Sequence, residues 1–230
     1  MVYRPHGIVG VGACCTVGSS GSKFTEVFPG LTRFCATLDL HFKFPIRAYS
    51  AEALGFIPCS FEYIVQNLSK PDGGNALFLV VGGAQEALEC HENVFRLCLK
   101  TRKGFCRAAL ISGAQLVPVF AFGENKTFKT AHNPVGSNLR SFQEFTKNII
   151  GFSPMVFYGT SGIPGIPGPF PLRQRLDVVF GAPIPVEKTE NPSKEQINVL
   201  HQLYMDQLVE LFEKNKTLYG VSKDSKIELF

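Results

Sequence analysis

Two short apolar runs limit the folds open to this chain of 230 residues. Residues 76–81 read Ala76-Leu77-Phe78-Leu79-Val80-Val81, and residues 116–122 read Leu116-Val117-Pro118-Val119-Phe120-Ala121-Phe122. Each is strand-sized and free of charge, as a strand buried on both faces requires. Neither approaches the roughly 18 apolar residues that a membrane-spanning helix needs. Each also runs into glycine, at Gly82-Gly83 and at Gly123. Between them, residues 102–111 read as a helix stopped by Gly113, with Phe105, Ala108, Ala109 and Ile111 available to a sheet. Helix, glycine stop and strand predict an α/β crossover. No linker or repeat divides residues 1–230. The expectation is therefore one α/β domain, a central sheet flanked by helices.

The flanking segments are read the same way. Ser60 reads as the N-cap of a short helix with Phe61, Ile64, Val65 and Leu68 on one face, ended by Pro71-Asp72-Gly73-Gly74. Ser193 and Gln196 have the spacing of a capping box. Behind them Ile197, Leu200, Tyr204, Leu208 and Leu211 form the apolar face of a long last helix, with Gly220 beyond it. Residues 1–20 read as the end of a strand, a loop at His6 and a Gly/Ala/Cys segment, with no earlier strand to pair. Phe28-Pro29-Gly30 is a turn. Phe42-Lys43-Phe44-Pro45, residues 154–158 and residues 176–180 read as strands. Residues 130–148 are polar, with Asn133-Pro134-Val135-Gly136-Ser137 as a turn. The apolar, Pro- and Gly-rich residues 162–171 read as an irregular loop, packed on the body or inserted at a membrane interface.

Composition removes several classes of function. A net charge of +4 suits an anionic ligand or a membrane surface, and is too small to argue for nucleic acid. The 21 phenylalanines suit a core and equally a lipid-facing surface. Seven cysteines, an odd number without a CxxC pair, read as reduced thiols in a cytosol-facing domain. Cys90, Cys98 and Cys106 recur at a spacing that matches no metal-ligand pattern, so no metal is expected. The sequence has no GxSxG elbow, P-loop or HExxH. The missing elbow disfavours a soluble esterase.

Chemistry is expected first at Arg4-Pro5-His6-Gly7. Pro5 fixes φ before the histidine and Gly7 frees the backbone after it. Such a pair can hold an imidazole at a strand end, where it titrates near neutral pH and can take a proton from a hydroxyl. A turn with a solvent-facing histidine is the other reading. Gly82 and Gly83 follow a buried strand, where the backbone can approach a ligand closely and where open α/β sheets place their sites. Glu86 just beyond reads either as a partner for the histidine or as a first-turn acid favoured by the helix dipole. Lys100, Arg102, Lys103 and Arg107 read as a phosphate cluster or as a solvated helix face. Gly123-Glu124-Asn125 is a second candidate loop.

Taken together, several stretches resemble the type-2 diacylglycerol acyltransferase family, which includes monoacylglycerol and wax-alcohol acyltransferases. They are Pro5-His6-Gly7, Phe28-Pro29-Gly30, the run from Val80 to Leu88, Arg102-Lys103-Gly104-Phe105, Leu116-Val117-Pro118, Phe122-Gly123-Glu124-Asn125 and Tyr204-Met205. The resemblance covers nearly the whole chain in order and spacing. It implies a glycerolipid-acyltransferase-like α/β fold with a mixed central sheet, and acyl transfer from acyl-CoA to the hydroxyl of a monoacylglycerol or diacylglycerol. His6 matches the family's catalytic histidine and Glu86 a glutamate that assists it. For that chemistry the substrate-binding candidates are Gly82 and Gly83, whose turn can offer backbone N–H groups to the oxyanion, and Arg102, Lys103 and Arg107, which can take CoA phosphates. The resemblance further implies no cofactor besides acyl-CoA as co-substrate, and a membrane surface as partner. The expected location is the cytosolic face of the endoplasmic reticulum, or lipid droplets. The chain departs from the pattern at Arg4, where the family has histidine, at Asn138, in the loop up to Pro171, and in lacking an upstream hydrophobic segment. These departures carry a second expectation, a lipid-associated member without turnover.

Overall fold

The computed structural model describes residues 1–131, 133–134, 136–150, 154–163 and 165–230. In chain order the first elements are β1 (Val2–Arg4), α1 (Val11–Gly18), α2 (Phe24–Val27), β2 (Thr32–Thr37), α3 (Pro45–Ala53), β3 (Phe56–Pro58), α4 (Phe61–Leu68) and β4 (Asn75–Val80). They continue with α5 (Gly83–Ala87), β5 (Arg96–Leu97), α6 (Gly104–Ser112), β6 (Pro118–Phe122), β7 (Lys129–Thr130) and α7 (Asn138–Ile150). The last are β8 (Phe157–Thr160), β9 (Pro167–Gly168), β10 (Asp177–Phe180), α8 (Lys194–Asn215) and β11 (Glu228–Leu229).

The two apolar runs lie in one six-stranded sheet of order β10-β6-β1-β4-β2-β3. Pairing is parallel from β6 to β3, and β10 joins antiparallel at the edge. The sheet is thus mixed, as expected. The strand at residues 2–4 is not an orphan. It sits between β4 and β6, with Val2 opposite Leu79 on one side and Pro118 on the other. Its partners are distant in sequence, so no local signal reveals them.

Alternation along the strands divides the core between the two faces. Val2, Phe120 and Phe122 face α6 and α8, meeting Phe105, Tyr204, Leu208 and Phe212. Tyr3, Phe78, Val119 and Ala121 face the other way onto Ala13 and Val17 of α1 and Phe24 of α2. Leu77 and Ala36 complete the first layer against Ile64 of α4 and Ala108 of α6. Each fully buried phenylalanine contributes roughly 1.5–3 kcal/mol by leaving water. The helix over residues 194–215 forms as its sequence predicts. Gln196 N–H donates to Ser193 Oγ at 3.2 Å, and Ser193 N–H donates to Gln196 Oε1 at 2.8 Å.

Five expectations are corrected. Residues 42–45 are not a strand. Phe42 and Lys43 close a 3-10 turn over Asp39–Lys43, and Pro45 opens α3, where its fixed φ suits the first helical position. Residues 130–148 contain a helix, α7, with an inverted pattern: Arg140 and Gln143 are buried while Phe142 and Phe145 are exposed. The apolar loop at 162–171 is partly regular, since β9 pairs with β8 and Phe170 exchanges backbone hydrogen bonds with Thr160. Val135 of the predicted turn and Pro164 of that loop lie outside the described residues. The strand predicted at 154–158 is displaced to β8, and Ser60 makes no side-chain cap bond to α4. All seven cysteines are free thiols.

Candidate functional site

The parallel strands β1, β2, β3 and β4 all end toward one edge of the sheet. Over that edge lies a cavity of about 780 Å³, within the range of small-molecule sites, roughly 300–1,000 Å³. The residues just past each strand line it: His6 after β1, Leu38 after β2, Cys59 after β3, Val81 and Gly83 after β4. The rest of the wall is largely apolar and includes Ile8, Val9, Leu79, Phe105 and Met155.

His6 is half-buried in this wall. Its Nδ1 lies 3.2 Å from the Gly7 carbonyl oxygen, which can only accept. The assigned tautomer therefore carries hydrogen on Nδ1 and leaves Nε2 as the basic nitrogen. Burial lowers the imidazole pKa from 6.5, the Gly7 carbonyl opposes this, and the Arg4 charge lowers it further. At neutral pH the ring is uncharged and able to accept a proton.

Two buried carboxylates hold the loop that carries His6. Glu86, in the first turn of α5, is 2% exposed. Its Oε1 accepts the backbone N–H of His6 at 2.6 Å. Its Oε2 accepts the Cys98 N–H at 2.9 Å and the Arg4 guanidinium. Arg4, fully buried, also donates to the carbonyls of Val81 at 2.8 Å and Cys98 at 3.2 Å. Burial pushes the Glu86 carboxyl up, while Arg4 and the two backbone N–H groups favour its charged form. Gly82 makes room for it, because a Cβ there would stand 2.6 Å from Oε2 at a φ of +127°. Glu86 therefore meets the backbone of His6, not its imidazole, and lies behind the cavity wall.

Glu124 grips the other side. Its Oε2 accepts the Tyr3 hydroxyl at 2.6 Å and the Gly12 N–H at 2.9 Å, and its Oε1 accepts the Val11 N–H at 2.7 Å. It thus satisfies the first turn of α1, the helix that leaves the His6 loop. Gly7, at φ +61°, passes so close that a Cβ would stand 2.8 Å from Glu124 Cγ. Glu124 and Arg4 are structural partners of the site that the residue reading did not assign. The one signal for Glu124 was its place after a glycine at the end of a buried strand.

The remaining candidates divide. Gly83, Arg102 and Lys103 line the cavity, with Arg102 and Lys103 at an exposed rim and Lys103 Nζ donating to Asn198 Oδ1 at 2.6 Å. Arg107 stands outside the wall, its guanidinium 4.9 Å from the ring centroid of Phe61. Gly82 lies behind the wall, against Glu86. Among the described residues no cluster of histidine, cysteine and acidic side chains has the make-up of a metal site. An apolar cavity with a neutral base and a basic rim fits an amphiphilic, anionic substrate.

Comparison with known proteins follows from the same residues. A family model described as diacylglycerol acyltransferase matches residues 1–230. The chain is 40% identical over 225 residues to 2-acylglycerol O-acyltransferase 1 of Bos taurus, covering 98% of this chain and 67% of that protein. It is 36% identical over 228 residues to diacylglycerol O-acyltransferase 2 of Homo sapiens, covering 99% and 59%. It is 39% identical over 228 residues to acyl-CoA wax alcohol acyltransferase 1 of Homo sapiens, covering 99% and 69%. The chain thus spans between 59% and 69% of the length of these relatives. No solved structure matches it significantly.

Proposed function

The chain belongs to the diacylglycerol acyltransferase family, and on that premise we propose that it moves a fatty acyl group from acyl-CoA to the hydroxyl of a monoacylglycerol or diacylglycerol. The curated relatives carry the names of acyltransferases acting on 2-acylglycerol, diacylglycerol and wax alcohol. The observation that carries the reading is the neutral imidazole of His6 on the wall of a large apolar cavity. His6 Nε2 takes the proton of the acceptor hydroxyl as its oxygen attacks the thioester carbonyl. Backbone N–H groups at the Gly83 turn stabilise the oxyanion. CoA leaves as a thiolate, a good leaving group, and receives the proton. Arg102 and Lys103 at the rim hold CoA phosphates. Glu86 and Arg4 fix the His6 backbone, so arginine at position 4 acts as a buried charge partner and not as a base.

The fold is proposed as glycerolipid-acyltransferase-like, and the working location as the cytosolic face of the endoplasmic reticulum or the lipid-droplet surface. Exposed Leu38 at the cavity, exposed Leu40, Phe44, Ile46 and Tyr49 in the segment that follows it, exposed Phe142 and Phe145 on α7, and a positive net charge support a membrane surface as partner. Among the described residues no helix is long and apolar enough to cross a membrane. The test is incubation of membranes expressing the chain with labelled acyl-CoA and monoacylglycerol. Labelled di- or triacylglycerol that disappears with His6→Ala supports the reading, and turnover unchanged by that substitution ends it.

A further inference from the structure

Resting on the acyl-transfer reading, we propose that the buried end of the cavity holds the alkyl chain of the donor, and that Ala108 and Ile64 set the chain length it accepts. The cavity has a direction, and α6 marks it. Arg102, Lys103 and Gly104 line it at the exposed start of that helix. Phe105 and Ala108 line it further along the same helix and are buried, Ala108 lying about 4.5 Å beyond Phe105 along the helix axis. Beside Ala108 the wall continues with Ala36 of β2 and Ile64 of α4. These three also belong to one core cluster, so the cavity runs from a charged rim into the protein's interior.

A fatty acyl-CoA has the same order of parts: phosphates, thioester, alkyl chain. The rim cations suit the first and the buried end suits the last. His6 stands on the wall of the same cavity, where the thioester must react. An acylglycerol carries no phosphate and gains nothing from Arg102 and Lys103. The uncharged lining residues Val9, Leu38 and Met155 suit it, with Val9 and Leu38 exposed at the cavity. At the buried end Ala108 contributes one methyl group and Ile64 a branched side chain. Bulk added at Ala108 shortens the space along the alkyl chain, and bulk removed at Ile64 lengthens it.

The experiment measures kcat/KM of the full chain with octanoyl-, palmitoyl- and arachidoyl-CoA at a fixed acceptor. Ala108→Leu is expected to lower the palmitoyl-to-octanoyl ratio about tenfold or more. Ile64→Ala is expected to raise the arachidoyl-to-palmitoyl ratio. Thermal melts accompany both, and Ala108→Val replaces Ala108→Leu should the larger side chain prevent folding. An equal loss across all donors, or ratios unchanged in folded variants, overturns the proposal. Should the unaltered chain turn over none of the donors, the acyl-transfer reading fails by itself. Equilibrium binding of the same three donors then decides the chain site: the same shift in ratios supports it, and no shift overturns it.

Discussion

At the scale of single residues, the site depends on which atoms of His6 are held and which are free. Its N–H is tied to Glu86 and its Nδ1 faces the Gly7 carbonyl, so only Nε2 is left for chemistry. Burial and the Arg4 charge favour the neutral ring. The rate is therefore expected to rise with pH through the lowered pKa, with its half-rate point below pH 6.5, the ordinary value for histidine. A pH profile of kcat/KM checks this, and a half-rate point above that pH contradicts it. The same shift makes stability fall as pH drops through this window, since the unfolded chain binds the proton more readily. Arg4 matters differently. Arg4→Met strands Glu86 as a buried unpaired charge and is expected to cost roughly 3–5 kcal/mol, read by urea denaturation at neutral pH. The bracketing of His6 by proline and glycine is visible in the sequence. The partnership of Arg4 with Glu86 is not, because it joins positions far apart and an arginine before a proline looks like a solvated charge.

At the scale of elements, helix ends divide into those tied to the site and those tied only to stability. Glu124 satisfies two N–H groups of α1 and the Tyr3 hydroxyl. Glu124→Ala leaves these donors without partners and is expected to cost about 2 kcal/mol or more. It also frees the His6 loop, so kcat is expected to fall while the affinity for acyl-CoA changes little, a split that steady-state kinetics reads. Ser193→Ala removes one arm of the α8 capping box and is expected to cost about 1 kcal/mol with activity intact. The capping box was legible because it is local and carries its own spacing. The segment Phe42-Lys43-Phe44 was not, since a short apolar run fits strand and 3-10 turn alike and Pro45 decides between them. Helix α7 was missed for a sharper reason. It buries Arg140, which donates to Glu89 and to the Leu88 carbonyl, and turns Phe142 and Phe145 outward, so its hydrophobic stripe marks the wrong face.

At the scale of the whole molecule, the expectation of an α/β fold with a mixed sheet holds, and the apolar runs sufficed for its buried parallel strands because these leave a continuous apolar trace. Strand order was beyond reach, because nothing in three residues at one end names β4 and β6 as neighbours. Their positions predict a protection pattern. Amides of Tyr3, Leu79 and Phe120 are expected in the slowest class in native-state hydrogen exchange, while those of β8, in a small outlying sheet, exchange earlier. The central seat of β1 also bears on biosynthesis. This strand is synthesised before both of its neighbours, which are complete only after residues 80 and 122 have been polymerised. Until then the growing polypeptide carries an unpaired strand and no assembled reaction centre, which makes that waiting period the natural moment for chaperone capture.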